Sequence, residues 1–176
     1  MSSLSVYHET LAEQPNKVLT HVEDIASTLA EVGVRFERVQ GVAPVAPGAD
    51  PDEVAAACRA QIDQLMAERG CATAQVLSVG RERPHDDAQQ RDEHRLASDE
   101  VRLVVAGRAL FTLHIDDYVY AIVCEKHDLI SIPAGTRQWS DLGERPQLVV
   151  IRLFAGAEGA TATGDAIASR FAGLDD

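Results

Sequence analysis

The sequence predicts a mainly β protein with α: helices packed on the outside of an antiparallel sandwich or barrel. Three observations carry this. The short β-branched runs VRLVVAG, ALFTLHIDD, YVYAIVCEKHD, LISIPAG and QLVVIRLF follow one another closely, broken by Gly, Asp or Pro. Two amphipathic helical patterns precede them. At 176 residues the chain has the length of one domain. That is long enough to bury roughly 70% of its unfolded surface without a disulfide or structural metal.

In order along the chain, MSSLSVYHETLAEQPNK lacks a basic region before an apolar run and is not expected to be a signal peptide. In HVEDIASTLAEVG, Val22, Ile25, Ala26, Leu29 and Val32 fall at helical spacing, with Gly33 where a C-terminal cap belongs. VRFERVQ alternates as a half-exposed strand, and GVAPVAPGAD is a Pro- and Gly-rich loop. A long second helix follows. Asp50 is its N-cap, Pro51 its first residue and Glu53 stands three after the cap. Val54, Ala57, Cys58, Ile62, Leu65 and Met66 form its stripe, and Gly70 ends it. Cys58 thus reads as core. AQVLSVG is a strand, and RERPHDDAQQRDEHRLASDE a long polar segment. Asp116-Asp117 marks a hairpin turn between two of the later strands. TGDAIASRFAGLDD closes the chain as a short helix. The expected layout is a single domain over 1–176, with a helical part to about 72, a barrel from about 73 to 156 and a helix from about 164 to 173.

Composition narrows the function. With 16 basic and 28 acidic residues the net charge is −12, which disfavours phosphate backbones and anionic membranes as partners. The expected partner is a small molecule. No apolar stretch approaches the ~20 residues that span a bilayer. Cys58, Cys71 and Cys124 are odd in number and form no CxxC pair, which points to a reducing, cytoplasmic setting. The oligomeric state is not legible.

Two segments carry candidate chemistry. His94 and Glu100 stand six apart at the entry to a strand, where inward-pointing side chains would converge at a barrel mouth. In LISIPAGTRQWSD a strand ends at Pro133, Ala134-Gly135 turns tightly, and a new strand begins near Trp139.

From DEVRLVVAGRALFTLHIDDYVYAIVCEKHDLISIPAGTRQWSDLG to the IRLF strand, the chain resembles the acireductone dioxygenases of methionine salvage, above all in CEKHDLISIPAGT. GVRFERVQ, the second helix and TGDAIAS share the likeness. The resemblance implies a cupin double-stranded β-helix, a jelly-roll barrel with the N-terminal helices outside. It also implies one Fe(II) or Ni(II) on three His and one Glu, from a His-x-His-x3-Glu-x-Arg motif and a His just before a Trp. The iron form yields a keto acid and formate; the nickel form yields a carboxylic acid, formate and carbon monoxide. On this pattern His94 matches the first His, Glu100 the Glu, Arg102 the substrate-holding Arg, and Trp139 the Trp. Leu96 and Gln138 stand where the other two histidines belong. Ser140 replaces an aromatic, and Gln90 a frequent Phe. His85 matches no ligand position, His114 matches a histidine outside the metal's ligands, and His127 is expected to be a solvated turn residue.

With two ligands missing, the main expectation is a repurposed, metal-independent enzyme with no cofactor. It would carry out isomerase, dehydratase or cyclase acid–base chemistry on a small oxygenated metabolite. His94, Glu100 and Arg102 would be catalytic, and Arg102, Gln138, Trp139, Leu96 and Ser140 would line the substrate. Burial is expected to raise the Glu100 carboxyl toward the working pH and Arg102 to oppose it. Two alternatives stand beside this. One is a true acireductone dioxygenase with Fe(II) or Ni(II) on His94, Glu100 and Gln138; the other is a non-catalytic binding homologue.

Overall fold

The computed structural model describes residues 1–84 and 88–176, with side chains from 90 onward in the second stretch. The chain opens on strands β1 (Ser3–His8) and β2 (Lys17–Leu19), not on helix alone. SLSVYH alternates, with Leu4 and Val6 buried. Helix α1 (Val22–Ala30) buries Ile25 and Leu29, and β3 (Arg35–Arg38) buries Phe36. The long second helix is two: α2 (Pro51–Ala57) and α3 (Arg59–Arg69), broken at Cys58 with φ −101° and ψ 12°. Asp50 Oδ1 accepts from the Asp52 N–H at 2.8 Å, and Gly70 ends α3 in the left-handed region at φ 65°.

After β4 (Thr73–Val79) the polar segment contains two elements, α4 (Ala88–Arg91) and β5 (His94–Leu96). Then come β6 (Glu100–Ile115), β7 (Tyr118–Glu125), β8 (Asp128–Ile132), β9 (Arg137–Asp141), β10 (Leu148–Phe154) and β11 (Ala160–Ala162). The closing helix is only a 3₁₀ turn, Ile167–Arg170, whose Ile167 N–H binds Asp165 Oδ1 at 2.9 Å. Among the described residues no helix is long and apolar enough to cross a membrane.

Two antiparallel sheets share β6. One runs β11-β5-β9-β6-β7-β1-β2, and the other joins β4, β10, β6, β8 and β3. The first half of β6 pairs β10 and β8, the second half β7 and β9. The strand changes sheets beside Gly107, at φ 73°, where a Cβ would stand 2.0 Å from the Gln147 carbonyl oxygen. Only glycine meets both demands.

The strands alternate on either side of a bulge in β6, where Val105 and Ala106 both lie in the outer cluster. Val104, Ala109, Phe111 and Leu113 of β6 face the barrel interior with Ile130, Leu148 and Val150. Val101, Leu103, Val105, Ile151 and Leu153 face outward, under Val54, Ile62 and Leu65 of α2 and α3. Helices α2 and α3 thus cover one outer face, while Ile25 and Leu29 of α1 join the cluster that contains the interior strand residues. The mainly β cupin jelly roll with external helices is the fold of the protein.

Candidate active site

The alternation that buries Val104 also turns Glu100 and Arg102 inward, since they lie four and two residues before it. β10 does the same for Arg152, two beyond Val150. β9 presents Gln138 and Ser140 with Leu142. His94 of β5 is paired with Gln138 of β9, and directly paired residues share a face. Leu96 follows two later on that face. His94, Leu96, Glu100, Arg102, Gln138 and Ser140 therefore converge, all buried.

Trp139 does not join them. Its odd position turns it outward, where it packs with Val119, Ile167 and Phe171. It anchors the C-terminal segment and is not a substrate-lining residue. Gln90 of α4 borders a narrow cavity of about 10 Å³ with Arg102, Phe111, Ser140 and Arg152. That space suits roughly one water molecule.

The electrostatics centre on Glu100, whose side chain has no exposed surface. Arg102 Nε donates to Oε1 at 2.7 Å and Arg152 Nε to Oε2 at 2.6 Å. Arg102 and Arg152 are directly opposed on adjacent strands, so the carboxylate between them offsets their repulsion. Burial pushes the Glu100 carboxyl up, but the two guanidiniums outweigh it and hold it below the ordinary glutamate value. The expectation of a carboxyl poised near working pH is therefore corrected. It counted Arg102 and missed Arg152, whose charge inside an apolar strand was the available signal. Glu100 is a fixed anion that holds two cations in place.

His94 Nδ1 bonds the Asp92 carbonyl at 2.8 Å. That fixes the proton on Nδ1 and leaves a lone pair on Nε2. Burial pushes the imidazole below the ordinary histidine value, against the pull of Asp92, and Arg102 and Arg152 push it the same way. The ring is neutral at pH 7. Arg102 Nη2 also donates to Gln138 Oε1 at 2.6 Å, and its guanidinium lies 4.7 Å over the Phe111 ring. Two of this site's buried donors then have no hydrogen-bond partner among the described residues: Arg102 Nη1 and Gln138 Nε2. Such groups are costly unless an acceptor reaches them.

This donor set can be compared with the four-ligand metal site that the resemblance implies. His94 offers one lone pair. Glu100 offers oxygens already held by two arginines, and the Gln138 oxygen is engaged by Arg102. Leu96 offers nothing. The unpartnered atoms are N–H donors, which attract an anion or an oxygen and cannot coordinate a cation. Among the described residues no group of three or more His, Cys, Asp or Glu is arranged to hold a metal ion. The residues present do not fit the four-ligand cage.

A second buried cluster lies just outside. His114 Nδ1 meets Glu93 Oε2 at 2.6 Å and Nε2 meets Glu9 Oε2 at 2.8 Å, while Thr163 Oγ1 donates to Glu93 Oε1 at 2.7 Å. The His114 hydrogen bond holds the Glu9 carboxyl below its ordinary value. Sequence reasoning placed His114 outside the site and missed its partners, which come from distant parts of the chain. His127 is not a solvated turn residue. It is half-buried at φ 83°, its N–H bound to the Val104 carbonyl, with Nδ1 unpartnered among the described residues. His85 lies outside the described residues. Cys58, Cys71 and Cys124 are free thiols, and burial raises the pKa of each.

The ARD/ARD' family model matches residues 7–162. The chain is 62% identical to an acireductone dioxygenase of Stutzerimonas stutzeri and 58% identical to those of Pseudomonas syringae and Pseudomonas aeruginosa, each over the full length of both chains. Among solved structures it is similar to an acireductone dioxygenase from Bacillus anthracis with a cadmium ion in its active centre. There the TM-score is 0.71 and the identity 25%, over 90% of this chain and 95% of that one. These findings overturn the main functional expectation, a metal-independent isomerase, dehydratase or cyclase. Full-length relatives this similar bear the name of the family's own oxygenase. The expectation of no cofactor falls with it, since the solved neighbour carries a metal in its active centre. Family-model coverage and full-length identity agree: the chain belongs to the ARD/ARD' family.

Proposed function

We propose that the protein is an acireductone dioxygenase, acting with Fe(II) or Ni(II) on a small enediol. The observation that carries this is the 56–62% identity, over the whole of both chains, with relatives of that name. Of the family's four metal donors the chain keeps His94 and Glu100. Gln138 could add an amide oxygen only by giving up Arg102, and Leu96 adds nothing. A metal held by His94 and Glu100 would supply oxygen activation; the roles below belong to this chain's own side chains.

Arg102 is the substrate-holding group. Glu100, itself held by Arg152, accepts from its Nε, Phe111 lies under its plane, and Nη1 is left to reach a substrate oxygen. Gln138 Nε2 stands beside it as a second donor. Together they suit an enediolate, which presents adjacent anionic oxygens. Neutral His94, with its lone pair at Nε2, is the group able to accept a proton. Leu96 and Ser140 complete the wall that keeps water out. The three free cysteines, two of them buried, suit a cytoplasmic protein.

The test is anaerobic loading with Fe(II) or Ni(II), removal of free metal, and addition of acireductone with oxygen. Retained metal with formate release supports the proposal. Release of formate no faster than from acireductone alone, with either metal, refutes it.

A further inference from the structure

We propose that Arg81, Arg91 and Arg145 form an anion-capture cleft at the entrance to the Glu100–Arg102 site, through which the substrate anion is drawn inward. A cavity of about 730 Å³ is lined by these three arginines together with Val79, Gly143 and Glu144. That is the size of a small-molecule pocket. It abuts the narrow inner cavity along three elements. β4 gives Leu77 to the inner space and Val79 to the cleft. α4 gives Gln90 and Arg91, and the turn after β9 gives Leu142 and Gly143, in the same order.

The charge is out of keeping with the molecule. In a chain of net charge −12, three guanidiniums share this wall with one described carboxylate, Glu144. Arg81 and Arg145 are exposed and without an ion-pair partner among the described residues, although nearby Arg83 pairs with Asp50. Exposed cations in a concave wall raise the local concentration of anions and their rate of entry, by about 10–10³-fold in strong cases. A second observation points the same way. Arg102, which lines the inner cavity, carries the buried unpartnered Nη1, and Gln138 Nε2 lies next to it. From the surface inward, then, Arg81 and Arg145 lead to the unpartnered Arg102 Nη1 and Gln138 Nε2. This route selects a small anion with exposed oxygens. Identifying that anion as the acireductone enediolate rests on the function proposed above.

The experiment has two arms. Inorganic phosphate is titrated into the ¹⁵N-labelled holoprotein while the arginine Nε–H signals are followed. Those of Arg81 and Arg145 are expected to shift saturably, more than that of Arg170, which lines a different cavity with Glu9 and Glu13. Arg145→Gln is expected to weaken the Arg81 response at least fivefold. In the second arm, R81Q/R145Q is expected to lower kcat/KM for acireductone about tenfold at low salt, through KM, and to flatten its dependence on ionic strength. Arg170→Gln serves as the control. Arg81 and Arg145 signals that move no more than that of Arg170, or an unchanged kcat/KM and salt slope in the double variant, overturn the cleft. If acireductone is not turned over at all, the proposed activity fails, and the phosphate arm still decides the cleft.

Discussion

Replacing Glu100 by Gln tests the central claim, that a fixed buried anion organises the site. The substitution keeps the side chain's shape and removes its charge. Arg102, with 4% of its side chain exposed, and Arg152, with 16%, would face each other across paired strands with no carboxylate between them. An exposed pair would contribute about 0–1 kcal/mol. Breaking a buried one by removing a single partner costs about 3–5 kcal/mol, because the remaining charge stays desolvated. At an m-value of about 2 kcal/mol/M in urea, a loss of ~4 kcal/mol lowers the unfolding midpoint by about 2 M.

The pH dependence supplies a second readout from the same variant. The folded Glu100 carboxyl lies below its ordinary value of about 4.5, so as pH falls the unfolded chain takes up this proton first. The stability Glu100 contributes is full above about 4.5 and is lost as pH falls through the depressed folded value. Glu100→Gln should therefore be less stable at pH 7 and have a shallower acid limb than the wild type. Urea unfolding followed by circular dichroism at pH 7, 5 and 4 measures both. A midpoint within about 0.3 M of wild type at pH 7, from the same m-value, would show the guanidiniums to be hydrated and refute the reasoning.

Three further outcomes are expected. The Gly107→Ala protein should lose about 3 kcal/mol or more, since its Cβ meets the Gln147 carbonyl and its φ is positive; a melting temperature close to wild type would mean that β6 does not turn there. His94 should titrate below 6.5 by NMR, because burial and two arginines disfavour its cation. The sign follows: the unfolded histidine protonates first, so this contribution to stability is present above about 6.5 and lost as pH falls through the lowered folded value. L96H/Q138H adds two imidazoles to the face that carries His94, so nickel retained through gel filtration should exceed wild type by elemental analysis.

What the sequence revealed depended on how local each signal is. Asp50 and Pro51 start a helix through contacts within two residues, and Asp116-Asp117 turns a hairpin through its own backbone, with Asp116 at φ 53°. Those readings need no distant partner. β1 could not be read the same way: Ser3–His8 is a strand because Tyr118–Val123 lies beside it, more than a hundred residues away. The three residues of β5 likewise exist as a strand through β9 and β11. The inward set of His94, Glu100, Arg102 and Gln138 was legible because the family motif and the two-residue period agree. At Trp139 they conflict: if Gln138 faces in, Trp139 faces out, and period should have overruled the motif. Glu100 was misjudged for a different reason, because Arg152 lies 52 positions away and no spacing rule joins them.

The orientation of Gln138 settles what the two departures from the family pattern do together. Arg102 has only donors, so the amide oxygen must face it and the amide nitrogen must face the site. Position 138 thus presents an N–H where a ligating histidine would present a lone pair. Leu96, on the same face, presents no polar atom. The described interior carries one carboxylate against two guanidiniums, an excess of one positive charge beside two unpartnered donors. An anionic oxygen satisfies both the charge and the hydrogen bonds; a neutral oxygen satisfies only the hydrogen bonds. This is why L96H/Q138H does more than add ligands: Gln138→His also removes the acceptor for Arg102 Nη2. Nickel retention in the double variant should therefore rise while the hold on substrate weakens. A variant that gains metal and binds acireductone as tightly as before would show that Arg102 is held by Glu100 alone.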